Sequence, residues 1–157
     1  LLKGNHDYWW TTLTSMRKFI SDNNFENIDF LYNNSYLVED KIIVGTRGWV
    51  LQDTEESRKM INRENERLKL SLKSAIENFG EDKEIIVFMH YPPLSSKNLL
   101  NNLHLEFYKT MKQYDVKRCY YGHLHGNSHM DAIEGEIGGI DFNLVSADYL
   151  DFKLQKI

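Results

Sequence analysis

Apolar residues return at helical spacing over residues 53–79, where Met60, Ile61, Leu68, Leu72, Ala75, Ile76 and Phe79 fall largely on one face. This pattern predicts a long helix with Asp53 as its N-cap, Glu56 three residues on, and Gly80 as its stop. The charges between Glu55 and Lys73 form its solvated side. Trp9, Leu13, Met16 and Ile20 predict an earlier helix that ends at Asp22-Asn23-Asn24, and residues 103–114 predict a third. The run Ile85-Ile86-Val87-Phe88-Met89 is continuously apolar, the signature of a strand buried on both faces. Shorter strands are expected over 28–32, 36–39, 41–46 and 116–121, with Asn33-Asn34 and Glu39-Asp40 as turns. Residues 130–136, 140–145 and 150–157 read as closing antiparallel strands, with Gly138-Gly139 as a hairpin turn. Strands alternating with helices place the chain in the α/β class.

Composition narrows the picture. A chain of 157 residues, 41% hydrophobic and 27% charged, with no internal repeat or linker, reads as one domain, residues 1–157. Its net charge of −4 and the lack of a basic run interleaved with aromatics disfavour a nucleic-acid partner. No apolar stretch is long enough to span a bilayer, so no membrane partner is expected. Cys119 is the only cysteine, which excludes an intrachain disulfide and suggests a cytoplasmic protein; as a side chain it reads as a small buried hydrophobe. The opening Leu1-Leu2-Lys3-Gly4 carries no methionine and reads as a strand already under way, hence a fragment or processed product.

Three polar clusters each follow an apparent strand. Gly4-Asn5-His6-Asp7 precedes the first helix, where Asn5 and Asp7 could equally serve as caps. His90 ends the apolar strand ahead of the rigid Tyr91-Pro92-Pro93. Gly122-His123-Leu124-His125-Gly126 follows the strand at 116–121. If that segment continues extended, His123 and His125 share a face about 6.6 Å apart while Leu124 turns to the core. Two imidazoles at that spacing suit neighbouring metal ions, yet alone such a pair is more often two polar residues at a strand end. Gly45-Thr46-Arg47-Gly48-Trp49 adds one cation and one large aromatic on a flexible loop. Arg47 could grip a phosphate by bidentate hydrogen bonds, or be a surface or ion-paired arginine. His104 reads as an ordinary surface or packing histidine, and His129 as at most a residue near the site.

In this order the clusters G-N-H-D, a strand-ending His, and G-H-x-H resemble the later signature blocks of the calcineurin-like metallophosphoesterases. The resemblance runs from Gly4 through the closing strands. It implies a two-sheet α/β sandwich flanked by helices and two divalent ions, Mn, Fe, Zn or Co, at the strand ends. It implies that Asn5, His90 and His123 bind the second metal and His125 the first. His6 is implied as the proton donor to the leaving oxygen, with Asp7 orienting its ring. The activity implied is hydrolysis of a phosphoester, on a small molecule or a protein, by water that two metals acidify. A non-catalytic interaction scaffold on the same fold is the alternative.

The earlier blocks D-x-H and G-D-x-x-D are absent: the chain has no Gly-Asp dipeptide and no aspartate followed two residues later by histidine. The first metal would keep only His125 from this chain. The chain is therefore expected to be the C-terminal part of such a domain, N-terminally truncated, impaired by itself, and prone to self-association through an uncovered sheet.

Overall fold

The structure is a computed structural model that describes residues 1–7, 11–101 and 103–157. Among the described residues six strands form one mixed sheet with helices packed on it, an α/β architecture consistent with the metallophosphoesterase fold, with one sheet where the resemblance implies two. In chain order these are α1 (Leu13–Asp22), β1 (Ser35–Val38), β2 (Lys41–Thr46), α2 (Glu55–Phe79), β3 (Glu84–Met89), α3 (Ser96–Asn101), α4 (Glu106–Gln113), β4 (Arg118–Tyr121), β5 (Gly135–Ile137) and β6 (Ile140–Leu144). A 3-10 turn spans Gly126–Asp131.

The strand order is β1-β2-β3-β4-β6-β5. The four inner strands run parallel, and the edge strands β1 and β5 pair antiparallel with β2 and β6. One face of the sheet supplies Ile42, Val44, Ile85, Val87, Cys119, Tyr121 and Phe142 to the main core. Against it α2 packs Ile61, Leu68, Leu72 and Ala75, and α4 packs Phe107 and Met111. Burying an apolar side chain contributes about 1.5–3 kcal/mol each, so this face fixes the sheet on its helices. On the opposite face Phe88 stacks on Tyr120 at 5.3 Å, and Arg118 grips both carboxylate oxygens of Glu84 at 2.6 and 2.8 Å. Cys119 is fully buried, and desolvation pushes its thiol pKa up, as expected of an inert core cysteine.

Parallel pairing puts the carboxyl ends of the inner strands on one edge. Thr46 sits opposite Met89, Met89 opposite Tyr121, and Tyr121 opposite Leu144. The next residues, Arg47, His90, Gly122 and Val145, therefore leave the sheet side by side, where α/β folds place their ligands.

Several local expectations are corrected. Residues 28–32 form no strand; Leu31 N–H donates to Leu1 O and the Leu1 amino group to Asp29 O, a pairing only one residue long on the Leu1 side. Phe30 is buried there beside Met16. Helix α1 begins at Leu13 under a Thr12 cap, whose side chain accepts from Ser15 N–H; Trp9 lies outside the described residues. Thr54, not Asp53, caps α2 by accepting from Ser57 N–H at 3.1 Å, and Asp53 instead pairs with Arg58. The helix expected over 103–114 starts only at Glu106, because buried His104 adopts a left-handed φ of +52° that no helix tolerates. The short α3 lies ahead of that break. The 3-10 turn takes Met130, so β5 is only three residues long, and β6 runs parallel to β4. Residues 150–157 form no strand: Asp151 and Phe152 both have positive φ, and Phe152 and Leu154 are exposed beyond the sheet edge. No described helix is long and apolar enough to cross a membrane.

Candidate metal centre

Gly4, Asn5, His6, Asp7, His90, His123 and His125 line one cavity of about 290 Å³ together with Leu2. Six of the candidate site residues, spread over residues 5–125 of the chain, are thus brought together. The end of β3 places His90, whose Nε2 stands 2.6 Å from Asn5 Oδ1 and 3.2 Å from His123 Nδ1. The α1 cap is Thr12, so Asn5 and Asp7 are not capping α1. Asp7 Oδ2 accepts from Gly4 N–H at 2.5 Å, tightening the loop that carries Asn5. Gly4 allows a close approach: a Cβ there would lie 3.2 Å from the His90 ring and would push it aside by a few tenths of an ångström.

The H-x-H premise is corrected in its geometry. Strand β4 ends at Tyr121, and His123 has φ +72°, a left-handed conformation rare for a side chain of this size. His125 is extended and precedes the 3-10 turn. The two histidines still reach one cavity, by a bend rather than by strand alternation, and Leu124 packs partly buried against the core.

His125 shows a feature not anticipated from sequence. Its Nδ1 lies 2.7 Å from Asp148 Oδ1, while Asp148 Oδ2 accepts from Gly126 N–H at 2.9 Å. These bonds, the backbone donor first and His125 next, hold the Asp148 carboxyl well below the usual carboxylate range. A carboxylate on Nδ1 places the proton there and leaves Nε2 bare, the arrangement found behind metal-binding histidines. His129 Nε2 is 3.2 Å from Asp148 Oδ2 but off the direction a hydrogen bond requires. Asp148 follows β6 on the same sheet edge as His90; that position was its only sequence signal, and it depended on knowing that β6 runs parallel.

Desolvation, then His123 and Arg47, lower the His90 pKa to about 4. Burial, followed by His125 and His6, also lowers that of His123. Both rings are therefore neutral near pH 7, the state in which imidazole is a ligand. Arg47 does not line this cavity. Its guanidinium lies over Trp49 at 4.7 Å and near Tyr91 at 5.9 Å, and it faces an adjoining cavity with Leu2 and Thr46.

Among the described residues no group of three or more His, Cys, Asp or Glu has metal-holding geometry. The convergent donors are two imidazole nitrogens and an amide oxygen. Bonds near 2.1 Å keep ligand atoms roughly 3.0–3.4 Å apart. The His90–His123 spacing of 3.2 Å fits, and the Asn5–His90 spacing of 2.6 Å needs only a small opening. The three donors suit a divalent ion of the Mn–Zn series, whereas His125 alone is an incomplete set for another.

The family model for calcineurin-like phosphoesterase matches residues 1–127, a span that contains all three polar clusters and stops short of Asp148. No curated protein and no solved structure matches the chain. With the family model covering most of its length and the three clusters meeting at one sheet edge, the chain belongs to the calcineurin-like phosphoesterase family.

Proposed function

We propose that the protein is a metal-dependent phosphohydrolase. The reading is supported by the cavity that gathers Asn5, His90 and His123, with Asn5 Oδ1 at 2.6 Å and His123 Nδ1 at 3.2 Å from His90 Nε2. These three would hold one divalent ion, and His125, backed by Asp148, would contribute to a second. Bound ions supply Lewis-acid polarisation of the phosphoryl oxygens and a water acidic enough to attack at neutral pH. The chain's own groups do the rest. His6 stands exposed on the cavity wall and would give a proton to the leaving oxygen, a contribution of about 10²–10⁴-fold. Asp7 holds the Gly4 turn closed and so keeps Asn5 against His90. Leu2 closes one side of the cavity.

The one carboxylate on this cavity, Asp7, is taken up by Gly4 N–H, and no group of three or more His, Cys, Asp or Glu among the described residues is set to hold a metal, so the chain by itself is expected to bind metal weakly and turn over slowly. Titration calorimetry with Mn²⁺ and Zn²⁺ tests the ligand set. Binding by the chain that disappears in His90→Ala and in Asn5→Ala supports the reading. Binding that both variants retain would refute the assignment and favour a scaffold.

A further inference from the structure

We infer that the cavity beside the metal centre is a leaving-group subsite for an uncharged, flat aromatic body; the inference rests on the phosphohydrolase reading. This second cavity, of about 360 Å³, meets the first at His123, which lines both. Its size falls in the range of small-molecule sites. Its walls are mainly Trp49, Leu51, Tyr91, Leu94 and Leu124, with the neutral polar Gln52, Ser95 and Asn98 among them and the exposed Asp131. Tyr91 lies 4.2 Å from the His123 ring and 6.0 Å from Trp49, so an aromatic surface begins at the candidate ligand and runs away from it. The Arg47 guanidinium over Trp49 braces that wall from the loop after β2.

Charge makes the subsite selective. None of its lining residues is Lys or Arg. Its single anionic group is Asp131. A phosphoester seated with phosphorus at His90 and His123 would direct its alcohol portion along this wall. Apolar and aromatic groups gain burial there, whereas an anionic extension finds no lining cation and one carboxylate, Asp131. The reaction is simple hydrolysis: water oxygen bonds to phosphorus, the bond from phosphorus to the aryl oxygen breaks, and that oxygen takes up a proton. Nucleoside polyphosphates and acidic phosphopeptides are therefore expected to be poorer occupants of this side than neutral aryl groups.

The test uses phenyl phosphate and 2-naphthyl phosphate, whose leaving groups have similar basicity, with Mn²⁺ and the longest natural reading frame that contains this chain. One added ring buried in the subsite should raise kcat/KM at least about tenfold, and Trp49→Ala should bring the ratio toward one. In parallel, NMR on the 157-residue chain follows 2-naphthol and 6-hydroxy-2-naphthoate. The neutral ligand should perturb Trp49, Leu51 and Tyr91 and bind more tightly than the anion, and Asp131→Asn, an exposed and structurally harmless change, should narrow that gap. Turnover with a ratio near one, or a ratio unmoved by Trp49→Ala, would overturn the subsite and leave the hydrolase standing. Naphthol binding at these residues with no turnover of either ester would overturn the hydrolase reading and leave an aromatic cavity. Neither binding nor turnover would overturn both.

Discussion

Gly45 sits one pair from the carboxyl end of the parallel pairing between β2 and β3, opposite Phe88. A Cβ at this position would stand 2.2 Å from the Phe88 carbonyl oxygen, 2.8 Å from Leu31 Cδ2 and 3.1 Å from the Phe88 carbonyl carbon. Leu31 can yield, but the Phe88 backbone belongs to a central strand. Relief requires the strands to part by about 1 Å, a fifth of their ~4.8 Å spacing. Overpacking costs about 1–3 kcal/mol, and a clash with the ladder backbone belongs at the upper end. Replacing Gly by Ala returns about 0.4–1 kcal/mol by restricting the unfolded chain. The net loss is about 2 kcal/mol, which for a chain of this size lowers Tm by about 4–8 °C. Because Arg47 and His90 leave the sheet from these two strands, the same shift loosens the metal centre. Gly122→Ala is the control: its Cβ would meet nothing closer than Ser146 Oγ at 3.9 Å. Thermal unfolding followed by circular dichroism decides the matter. Gly45→Ala melting within about 2 °C of wild type, or Gly122→Ala falling as far, would refute the argument.

Other perturbations follow from the same contacts. In the metal-free chain the His90 ring should titrate near pH 4 by NMR; a midpoint near 6.5 would show that it is not desolvated. Since its folded pKa lies below the unfolded value, acidification protonates the unfolded chain first. The His90 contribution to stability is complete above about pH 6.5 and falls away toward pH 4. Asp148→Ala removes the partner of His125 Nδ1, so ring nitrogen shifts should change from a single tautomer to a mixture, and Mn²⁺-dependent turnover should fall about 10–100-fold. Unchanged shifts would dismiss a positioning role. Thr46→Val takes away the hydroxyl that donates to the buried Glu64 carboxylate at 2.7 Å and should cost about 1–3 kcal/mol in urea unfolding. A cost below about 0.5 kcal/mol would mean that Arg67 alone satisfies Glu64.

The elements that position the site were legible because their signals are local and dense. The five-residue apolar run of β3 could only be a central strand, and it fixed where His90 emerges. The extent of α2 was written in its apolar stripe and in Gly80, although its cap shifted by one residue because Thr54 rather than Asp53 reaches the Ser57 N–H. Where tertiary context overrides propensity, sequence failed. The left-handed backbone of His104 splits what reads as one helix, and that of His123 replaces strand alternation by a bend. Residues 150–157 have the composition of a strand but find no neighbouring strand to pair with. Asp148 was hidden for a related reason: it meets His125 across 23 residues, through the parallel placement of β6.

The most direct measurement is Mn²⁺-dependent hydrolysis of aryl phosphate mono- and diesters, made side by side on this chain and on the longest natural reading frame that contains it, each with its His123→Ala variant. A metallophosphoesterase built on these donors should turn over in the full reading frame and lose that activity in His123→Ala and under chelation; the donors of the 157 residues alone should give little turnover. Hydrolysis indifferent to chelation and to His123→Ala, or none in either protein, would contradict the account.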